Sequence, residues 1–247
     1  MKTVEYGRDN NEVIIFLHGG GLSWWNYKEV AELLADRFHV VIPILNGHSG
    51  SDLPFTSIED NAQGLISYID ENFGGHVLLL GGLSLGGQVL VEMLSQRSDI
   101  CKFAIIESAL VFPMKLTAAL VKPACSMCYP LTKKRWFAKL QFWALHMKAE
   151  LFEDYYADTV NISKNDMLAF LMANSDYCVK DALADCKAKA LVLIGSKERS
   201  IMKKSAQRLA ERLPTSNLEV LENYYHGEFS INHSERYVER LLQLISM

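Results

Sequence analysis

The sequence has little net charge and no hydrophobic run long enough to cross a membrane. Its 247 residues carry a formal net charge of −4, and the pI is near 6.0, so the chain offers no basic field to a phosphate backbone. The one dense basic run, Lys133 to Arg135, is interpreted as a solvated helix face. The first residues, MKTVEYGRDNN, lack the apolar core of a signal peptide. We therefore expect a cytoplasmic protein that neither binds nucleic acid nor inserts stably into a membrane.

Cysteine is scarce and unevenly spaced. The five cysteines are odd in number and scattered along the chain, which favours reduced thiols over a disulfide framework. Cys125 and Cys128 have the spacing of a redox or metal pair, but a second such pair and a nearby histidine pair are missing from the sequence. The sequence therefore predicts no metal and no cofactor.

Short apolar runs alternate with helical patterns along most of the chain. Because the runs are apolar throughout, they are typical of parallel strands with both faces covered by helices. The alternation predicts an α/β fold with a doubly wound, mostly parallel sheet of about seven strands and helices on both faces. The predicted strands lie at 13–17, 38–42, 76–80, 103–106, 190–194 and 218–221, with room for one more before residue 13. The predicted helices lie at 26–36, 58–72, 85–97 and 201–213 and at the C-terminal end.

The alternation stops between about residues 112 and 186. That segment shows helical patterns and no convincing strand, with Pro113, Pro123 and Pro130 as helix breakers and Ser163 as a helix start. We therefore predict an α/β core domain formed by residues 1–111 and 187–247, with a helical cap, or lid, formed by residues 112–186.

This predicted cap is rich in aromatic residues. We expect most of them to pack the helices together and the remainder to line an apolar pocket between the cap and the sheet. The residues predicted to line the pocket are Trp136, Phe142, Trp143 and Tyr155.

Ser84 lies in a Gly-x-Ser-x-Gly motif, Gly82 to Gly86, between the strand HVLLL and the helix QVLVEMLSQR. This is the strand, turn and helix arrangement that a nucleophile elbow requires. Glycines let the turn close tightly and let the helix pack on the strand. The hydroxyl then stands at the carboxyl edge of the sheet, beside helix N–H groups that favour an oxyanion. A plain turn is the alternative, and it needs none of these features.

A serine hydroxyl needs a base before it can act as a nucleophile. His226 lies in the loop after the last predicted strand, and such loops reach Ser84, so we prefer it as the base. His233 is the alternative, but it lies where the final helix is capped. His18 opens a glycine-rich loop after the strand VIIFL, which we interpret as an oxyanion loop with His18 as its structural anchor.

A carboxylate must orient the base. Glu198 follows the strand ALVLI and lies in a loop at the same edge of the sheet as Ser84, which makes it the preferred residue. Glu107 and Glu222 each follow a predicted strand and remain alternatives.

Together these motifs resemble those of the α/β-hydrolase superfamily, in its branch of esterases and lipase-like hydrolases that carry a lid. The resemblance covers nearly the whole chain, and the order Ser84, Glu198, His226 is the order of this fold. It implies that the backbone N–H groups of Gly20 and Leu85 form the oxyanion hole. Residues 47–52 resemble a structural loop of the family, so the histidine within them is not taken as the base.

Three residues depart from the family pattern. Glu198 replaces the commoner Asp, Tyr225 stands where many relatives have Gly, and Ile44 replaces a frequent Asp. Either carboxylate can orient an imidazole, so these departures remove no catalytic function, but together they weaken the transfer of any particular substrate from the family.

The residues and the resemblance predict a serine hydrolase that cleaves carboxylic esters of small to medium apolar substrates through an acyl-enzyme on Ser84. Its expected partner is a small molecule, and the sequence does not specify an oligomeric state. Hydrolysis of a carbon–carbon bond, a thioester or a lactone would use the same three residues. A ligand-binding protein without catalytic activity is less favoured, because no residue of the triad is missing.

Overall fold

One sheet of seven strands organises the chain in the computed structural model, which describes residues 1–246. The strand order is β1-β3-β2-β4-β5-β6-β7. The first strand pairs antiparallel with β3, and all other pairings are parallel. The prediction of a mostly parallel sheet of about seven strands is confirmed. The strands are β1 (Thr3–Tyr6), β2 (Val13–Leu17), β3 (His39–Pro43), β4 (Val77–Leu83), β5 (Cys101–Glu107), β6 (Lys189–Gly195) and β7 (Ser216–Leu221).

Helices cover both faces of this sheet, as the continuous apolar strands predict. All five residues of β2 are buried, since side chains on its two faces enter two separate cores. The helices are α1 (Lys28–Leu34), α2 (Ile58–Phe73), α3 (Leu85–Gln96), α4 (Lys115–Thr132), α5 (Arg135–Ala144), α6 (Phe152–Asn161), α7 (Lys164–Asp176), α8 (Ser200–Arg212), α9 (Glu228–Asn232) and α10 (Ser234–Ile245).

The two cores lie on opposite sides of the sheet. One contains Leu65 of α2, Val89 of α3 and Leu209 of α8, and the other contains Val30 of α1 and Leu241 of α10. The doubly wound arrangement is therefore confirmed. No helix within residues 1–246 combines the length and apolar character needed to cross a bilayer.

Residues 112–186 form helices α4 to α7 and two short 3-10 helices, Ala149–Leu151 and Asp181–Asp185, between β5 and β6. Ser163 caps α7 as predicted, because its hydroxyl accepts a hydrogen bond from the Asp166 N–H at 3.1 Å. The separation of this segment as a cap domain stays a prediction.

Pro123 and Pro130 lie inside α4, so the prediction that they break the helices is wrong. Each proline removes one backbone N–H donor from the helix. The helix nevertheless continues because one of its faces packs against α7, with Cys125 and Thr132 buried. Tertiary packing therefore overrides the local effect of the prolines.

The order of the strands places the loops that carry the candidate site. After β2 the chain passes to one side to form β3, and it then returns to form β4 on the other side of β2. Ligands of open α/β sheets bind at the carboxyl ends of the strands beside such a reversal. The loop after β2 and the turn after β4 meet there.

Candidate active site

Ser84 occupies a sharp turn between β4 and α3. It is the N-cap residue of α3, and its φ of 53° and ψ of −112° lie in a region that non-glycine residues rarely adopt. The Ser84 N–H donates a hydrogen bond to the Glu107 carbonyl at 2.9 Å, which helps to hold the turn. Such strain costs on the order of 1 to 3 kcal/mol and persists where the surrounding structure fixes it, often at functional sites.

The neighbouring glycines leave room for this turn. A Cβ atom on Gly82 would lie 2.5 Å from the Gly86 carbonyl oxygen, and one on Gly86 would lie 2.1 Å from the Leu17 carbonyl oxygen. Both contacts are with backbone atoms, which cannot rotate away. The glycines therefore allow α3 to pack closely on β2 and β4.

Gly86→Ala is expected to lower the free energy of unfolding by about 1 to 3 kcal/mol, because the added methyl group overpacks a backbone contact. Gly64→Ala is the matched control within α2, since its Cβ would meet only the Met1 side chain at 3.8 Å. That control should leave stability unchanged or raise it by up to about 1 kcal/mol. Urea unfolding of the two variants measures the difference, and equal stabilities would contradict the close contact at Gly86.

His226 lies in the loop between β7 and α9, within reach of Ser84. Its Nε2 atom is 2.9 Å from the Ser84 hydroxyl, and its Nδ1 atom is 2.7 Å from Glu198 Oε2. In the neutral tautomer with the proton on Nδ1, the imidazole donates to the carboxylate and accepts from the hydroxyl. The imidazole is partly exposed, with 41% of its side chain accessible. Solvent can therefore reach the His226 imidazole.

Glu198 is held in the loop after β6 with only 1% of its side chain accessible. Its other carboxylate oxygen accepts hydrogen bonds from the Ser108 hydroxyl at 2.6 Å and the Gly195 N–H at 3.0 Å. Burial raises the pKa of Glu198, but the hydrogen bond and charge of His226, with the donors Ser108 and Gly195, outweigh burial and lower the pKa. Glu198 is therefore an anion that faces the imidazole.

Ser108 is a residue that the sequence reasoning missed. Ser108 follows β5 directly, so it lies at the same edge of the sheet as the loops that carry Glu198 and His226. Its φ is 54°. Its position after a predicted strand was the available signal, but a serine next to Glu107 gives no pattern of its own.

The alternative residues lie elsewhere. Glu107 is buried and points to the Ser230 N–H at 3.4 Å, whereas Glu222 is exposed after β7. His233 lies 3.8 Å from Glu228. Within residues 1–246, the side chains of these three residues make no hydrogen bond to the Ser84 hydroxyl or to the His226 imidazole.

Burial raises the pKa of Glu107 to about 7, even though the nearby His226 and the Ser230 donors lower it. The folded state therefore holds this proton more tightly than the unfolded chain, whose carboxyl titrates near 4.5. The stabilisation of the folded protein by this tightly held proton is fully present below pH 4.5 and is lost as the pH rises through about 7.

The stability of the wild type relative to Glu107→Gln is accordingly expected to fall by on the order of 3 kcal/mol between about pH 4 and pH 8. The glutamine variant keeps a neutral group at this position at every pH and is the reference. Urea unfolding of both proteins across this range tests the expectation. A difference that does not change with pH would show that the buried carboxyl is not protonated at neutral pH.

The glycine-rich loop after β2 lies beside the Ser84 turn. His18 is buried, and its Nε2 atom accepts the Leu45 N–H at 3.1 Å while Nδ1 contacts the Gly19 carbonyl at 3.0 Å. Burial, with a smaller effect of His48, lowers the pKa of His18 to about 3, so the ring is neutral. His18 therefore connects this loop to the loop after β3.

The predicted oxyanion donors Gly20 and Leu85 are adjacent. A Cβ atom on Gly20 would lie 3.4 Å from the Leu85 side chain, and Leu85 is the first residue of α3. The first N–H groups of a helix have no partner within the helix, so they are available to an anion.

A cavity of about 350 Å³ opens on Ser84, His226 and Glu198. It is bounded by the chain after β5, the end of α5, α7 and the start of α8. Its other lining residues are Leu110, Met114, Ala144, Leu145, His146, Asn174, Lys197, Arg199, Met202 and Tyr225.

None of the four aromatic residues predicted for the pocket is among the residues that line this cavity. Phe142 and Tyr155 are buried together with Phe152. The centroid of the Phe142 ring lies 5.4 Å from that of Phe152 and 5.4 Å from that of Tyr155, and these contacts join α5 to α6. Trp136 and Trp143 are exposed to solvent instead. The aromatic ring that does line the cavity is Tyr225.

Tyr225 also explains one departure from the family pattern. Its ring stacks on His146 at a centroid distance of 3.8 Å and an interplanar angle of 12°. His146 follows α5, so the stack joins the helical segment to the loop that carries His226. A glycine at position 225 would leave this wall of the cavity without a side chain.

Solved structures share the whole fold of this chain. An esterase from Thermogutta terrifontis is 18% identical, with a TM-score of 0.83 over 99% of this chain and 92% of that one. An esterase from Exiguobacterium antarcticum is 19% identical, with a TM-score of 0.81 over 99% and 95% of the two chains. An enol-lactonase from Burkholderia xenovorans is 14% identical, with a TM-score of 0.83 over 100% and 96%.

At these identities the likeness shows the fold alone. The sequence itself gives the closer assignment. A model of the alpha/beta hydrolase family matches residues 14–240, which is most of the chain. The chain therefore belongs to the alpha/beta hydrolase family.

Proposed function

We propose that this alpha/beta hydrolase is a serine esterase that cleaves carboxylic esters through an acyl-enzyme on Ser84. The observation that carries the proposal is the chain of hydrogen bonds from Ser84 through His226 to Glu198, at 2.9 and 2.7 Å. A nucleophile, a base and an orienting carboxylate in this geometry are the parts that acyl transfer requires.

In the proposed reaction, His226 Nε2 takes the proton of the Ser84 hydroxyl as its oxygen attacks the ester carbonyl carbon. Glu198 holds the imidazole in place and stabilises the imidazolium that forms. The N–H groups of Gly20 and Leu85 donate hydrogen bonds to the oxyanion of the tetrahedral intermediate. The intermediate then expels the alcohol, which takes the proton from His226. Water attacks the acyl-enzyme with the same assistance and releases the acid.

The cavity supports a small or medium apolar substrate. Its volume of about 350 Å³ lies near the lower end of the range for small-molecule sites. Leu110, Met114, Leu145 and Met202 supply apolar walls. An acyl or alcohol portion of a few carbon atoms fits such a space.

Labelling with a fluorophosphonate probe tests the nucleophile directly. The probe phosphonylates serines that a base has activated, so we expect modification at Ser84 in the folded wild type and none in Ser84→Ala. Mass spectrometry of the digested protein locates the adduct. Absence of labelling at Ser84 in the folded protein would refute the proposed mechanism and favour a ligand-binding protein.

A panel of substrates then tests the class of bond. We expect p-nitrophenyl esters of short acyl chains to be cleaved faster than long-chain esters, because the cavity holds only a few carbon atoms. Thioesters and lactones of matched size form the comparison. Faster turnover of a lactone or thioester than of every ester would keep Ser84 as the nucleophile but replace the ester in the proposal.

A further inference from the structure

Residues 112–149 carry an excess of positive charge, whereas the rest of the chain taken together is negative. They include seven Lys or Arg residues and no Asp or Glu, in a chain whose formal net charge is −4. The remaining residues therefore carry an excess of eleven negative charges. This segment comprises α4, α5 and the chain around them.

Several of the cations in this segment have no acidic partner. Arg135 pairs with Glu153, Lys148 pairs with Glu29, and Lys133 donates to backbone carbonyls of residues 159–162. Within the described part of the chain, the other four lysines have no carboxylate within 4.0 Å. They are Lys115, Lys122, Lys134 and Lys139, and all four are exposed.

The same two helices expose large apolar side chains. Of the sixteen exposed large hydrophobic residues within residues 1–246, eight lie between positions 116 and 145. Leu116 and Met127 of α4 are 77% and 74% exposed, and Trp136 and Trp143 of α5 are 62% and 74% exposed. Burial of such side chains is favourable by about 1.5 to 3 kcal/mol each, so an uncovered cluster indicates a binding surface.

The spacing of these side chains places them on one stripe of each helix. In α4 they are separated by four, seven and four residues, and in α5 by four and three residues, which are helical spacings. The opposite face of α4 packs against α7, so the apolar stripe faces outward. We call this surface the α4–α5 face, formed by Leu116, Leu120, Met127, Leu131, Trp136, Leu140 and Trp143.

We propose that the α4–α5 face binds the surface of an anionic phospholipid bilayer. Amphipathic helices with tryptophan and leucine on one side and lysine beside them bury the apolar side at the headgroup boundary, where basic residues attract anionic lipids. The unpaired lysines and the absence of acidic residues in this segment match a negative surface. Binding requires no spanning helix, because the helices lie along the interface.

The residues of the α4–α5 face argue against two other binding partners, a second copy of the chain and a nucleic acid. A second copy packed face to face through a two-fold axis would bring two sets of unpaired lysines together. Nucleic acid would satisfy the lysines but would leave the exposed leucines and methionines without an apolar partner. A bilayer surface satisfies both features.

The α4–α5 face adjoins the cavity beside Ser84. Met114 immediately precedes α4, and Leu145 and His146 immediately follow α5, and all three line the cavity. A bilayer bound to this face would therefore lie beside the cavity. If the proposed esterase activity is correct, apolar esters dissolved in the bilayer form its substrate pool, but the binding itself does not depend on that activity.

Sedimentation with lipid vesicles tests this proposal without any substrate. The full-length protein is incubated with vesicles of phosphatidylcholine alone or with about 30 mol% phosphatidylglycerol. We expect binding to the mixed vesicles, little binding to phosphatidylcholine, and release in about 0.5 M NaCl, where charges are screened. Tryptophan emission should shift to shorter wavelength on binding, because Trp136 and Trp143 leave water while Trp25 is already buried.

Two variants and a matched control locate the surface. Replacing the four unpaired lysines by glutamine should weaken binding by about 600-fold, at about fivefold for each lysine. Trp136→Ala combined with Trp143→Ala should remove the emission shift. The control replaces four exposed lysines elsewhere by glutamine and should bind as the wild type does. Those control positions are Lys28, Lys102, Lys187 and Lys204.

Three results would overturn the proposal. These are no binding of the wild type to mixed vesicles, equal binding of the wild type to both vesicle types, or a loss of binding in the control variant equal to that in the variant without the four unpaired lysines. A fourth would be a dimer in sedimentation velocity that dissociates in the double tryptophan variant, since it would assign the face to a second copy. The lipid and salt comparisons on the wild type need no variant, so a folding defect cannot hide the answer. Fluorophosphonate labelling is scored separately, so failure of either proposal is distinguishable.

Discussion

Ser84→Ala is expected to lower kcat toward a short-chain p-nitrophenyl ester by on the order of a million-fold. The Ser84 oxygen is 2.9 Å from the His226 Nε2 atom. Alanine removes this oxygen, which in the proposed mechanism forms the acyl-enzyme. The proposed oxyanion donors Gly20 and Leu85 remain, so some rate above that in water should persist. Steady-state kinetics on protein free of host esterases measures the effect.

Ser95→Ala is the control for this variant. Ser95 lies in α3, the helix that follows the Ser84 turn. Its hydroxyl donates a hydrogen bond to the Val91 carbonyl. Ser95→Ala should leave kcat within about twofold of wild type, because this partly buried side chain lies far from Ser84. Ser84→Ala should also unfold at nearly the wild-type temperature, since serine and alanine suffer similar strain at a φ of 53°. If the activity of Ser84→Ala stayed within tenfold of wild type, a residue other than Ser84 would have to be the nucleophile.

The three residues of the proposed triad could be selected from the sequence because each follows a strand. Parallel strands end at one edge of the sheet, so the turn after β4 and the loops after β6 and β7 converge although they are far apart in the chain. The apolar run VIIFL coincides with β2 because a fully buried strand leaves no room for polar residues. These features depend on backbone topology, which the pattern of apolar runs determines.

The helical segment was harder to predict because α5 is apolar around much of its circumference. Its buried side carries Ala138 and Phe142, while Trp136, Leu140 and Trp143 face outward. Periodicity places side chains on a stripe but does not say which of two apolar stripes meets the protein. Of the four aromatic residues predicted for the pocket, two, Phe142 and Tyr155, are therefore buried in contact with each other. The other two, Trp136 and Trp143, are exposed to solvent.

The cavity is lined by residues from short connections and from the ends of helices, whose positions depend on tertiary contacts. Tyr225 becomes a wall because it stacks on His146, and Asn174 lies there because its amide bonds to the buried Gln88 at 2.9 Å. Neither pairing has a signal in the sequence, since the partners are 79 and 86 residues apart. The fold and the grouping of Ser84, His226 and Glu198 were accordingly more predictable than the shape of the pocket.

Glu198→Gln is expected to lower kcat by about 10,000-fold while the protein stays folded. The carboxylate accepts the Nδ1 proton of His226 at 2.7 Å, so Nε2 stays free to accept the Ser84 proton. A glutamine amide can donate to Nδ1 instead, which favours the tautomer with the proton on Nε2 and disables the base. It also removes the negative charge that stabilises the imidazolium during attack.

Glu107→Gln is the matched control, because Glu107 is the other buried carboxyl near this edge of the sheet. It bonds to the Ser230 N–H rather than to His226, and burial raises its pKa to about 7. The variant should therefore keep kcat within about threefold of wild type, as expected for a group that does not touch the reacting atoms. A large loss in Glu107→Gln with little loss in Glu198→Gln would assign the orienting role to Glu107. Because both variants replace a buried glutamate with its isosteric amide, the comparison separates the contact with His226 from the general effect of removing a carboxyl.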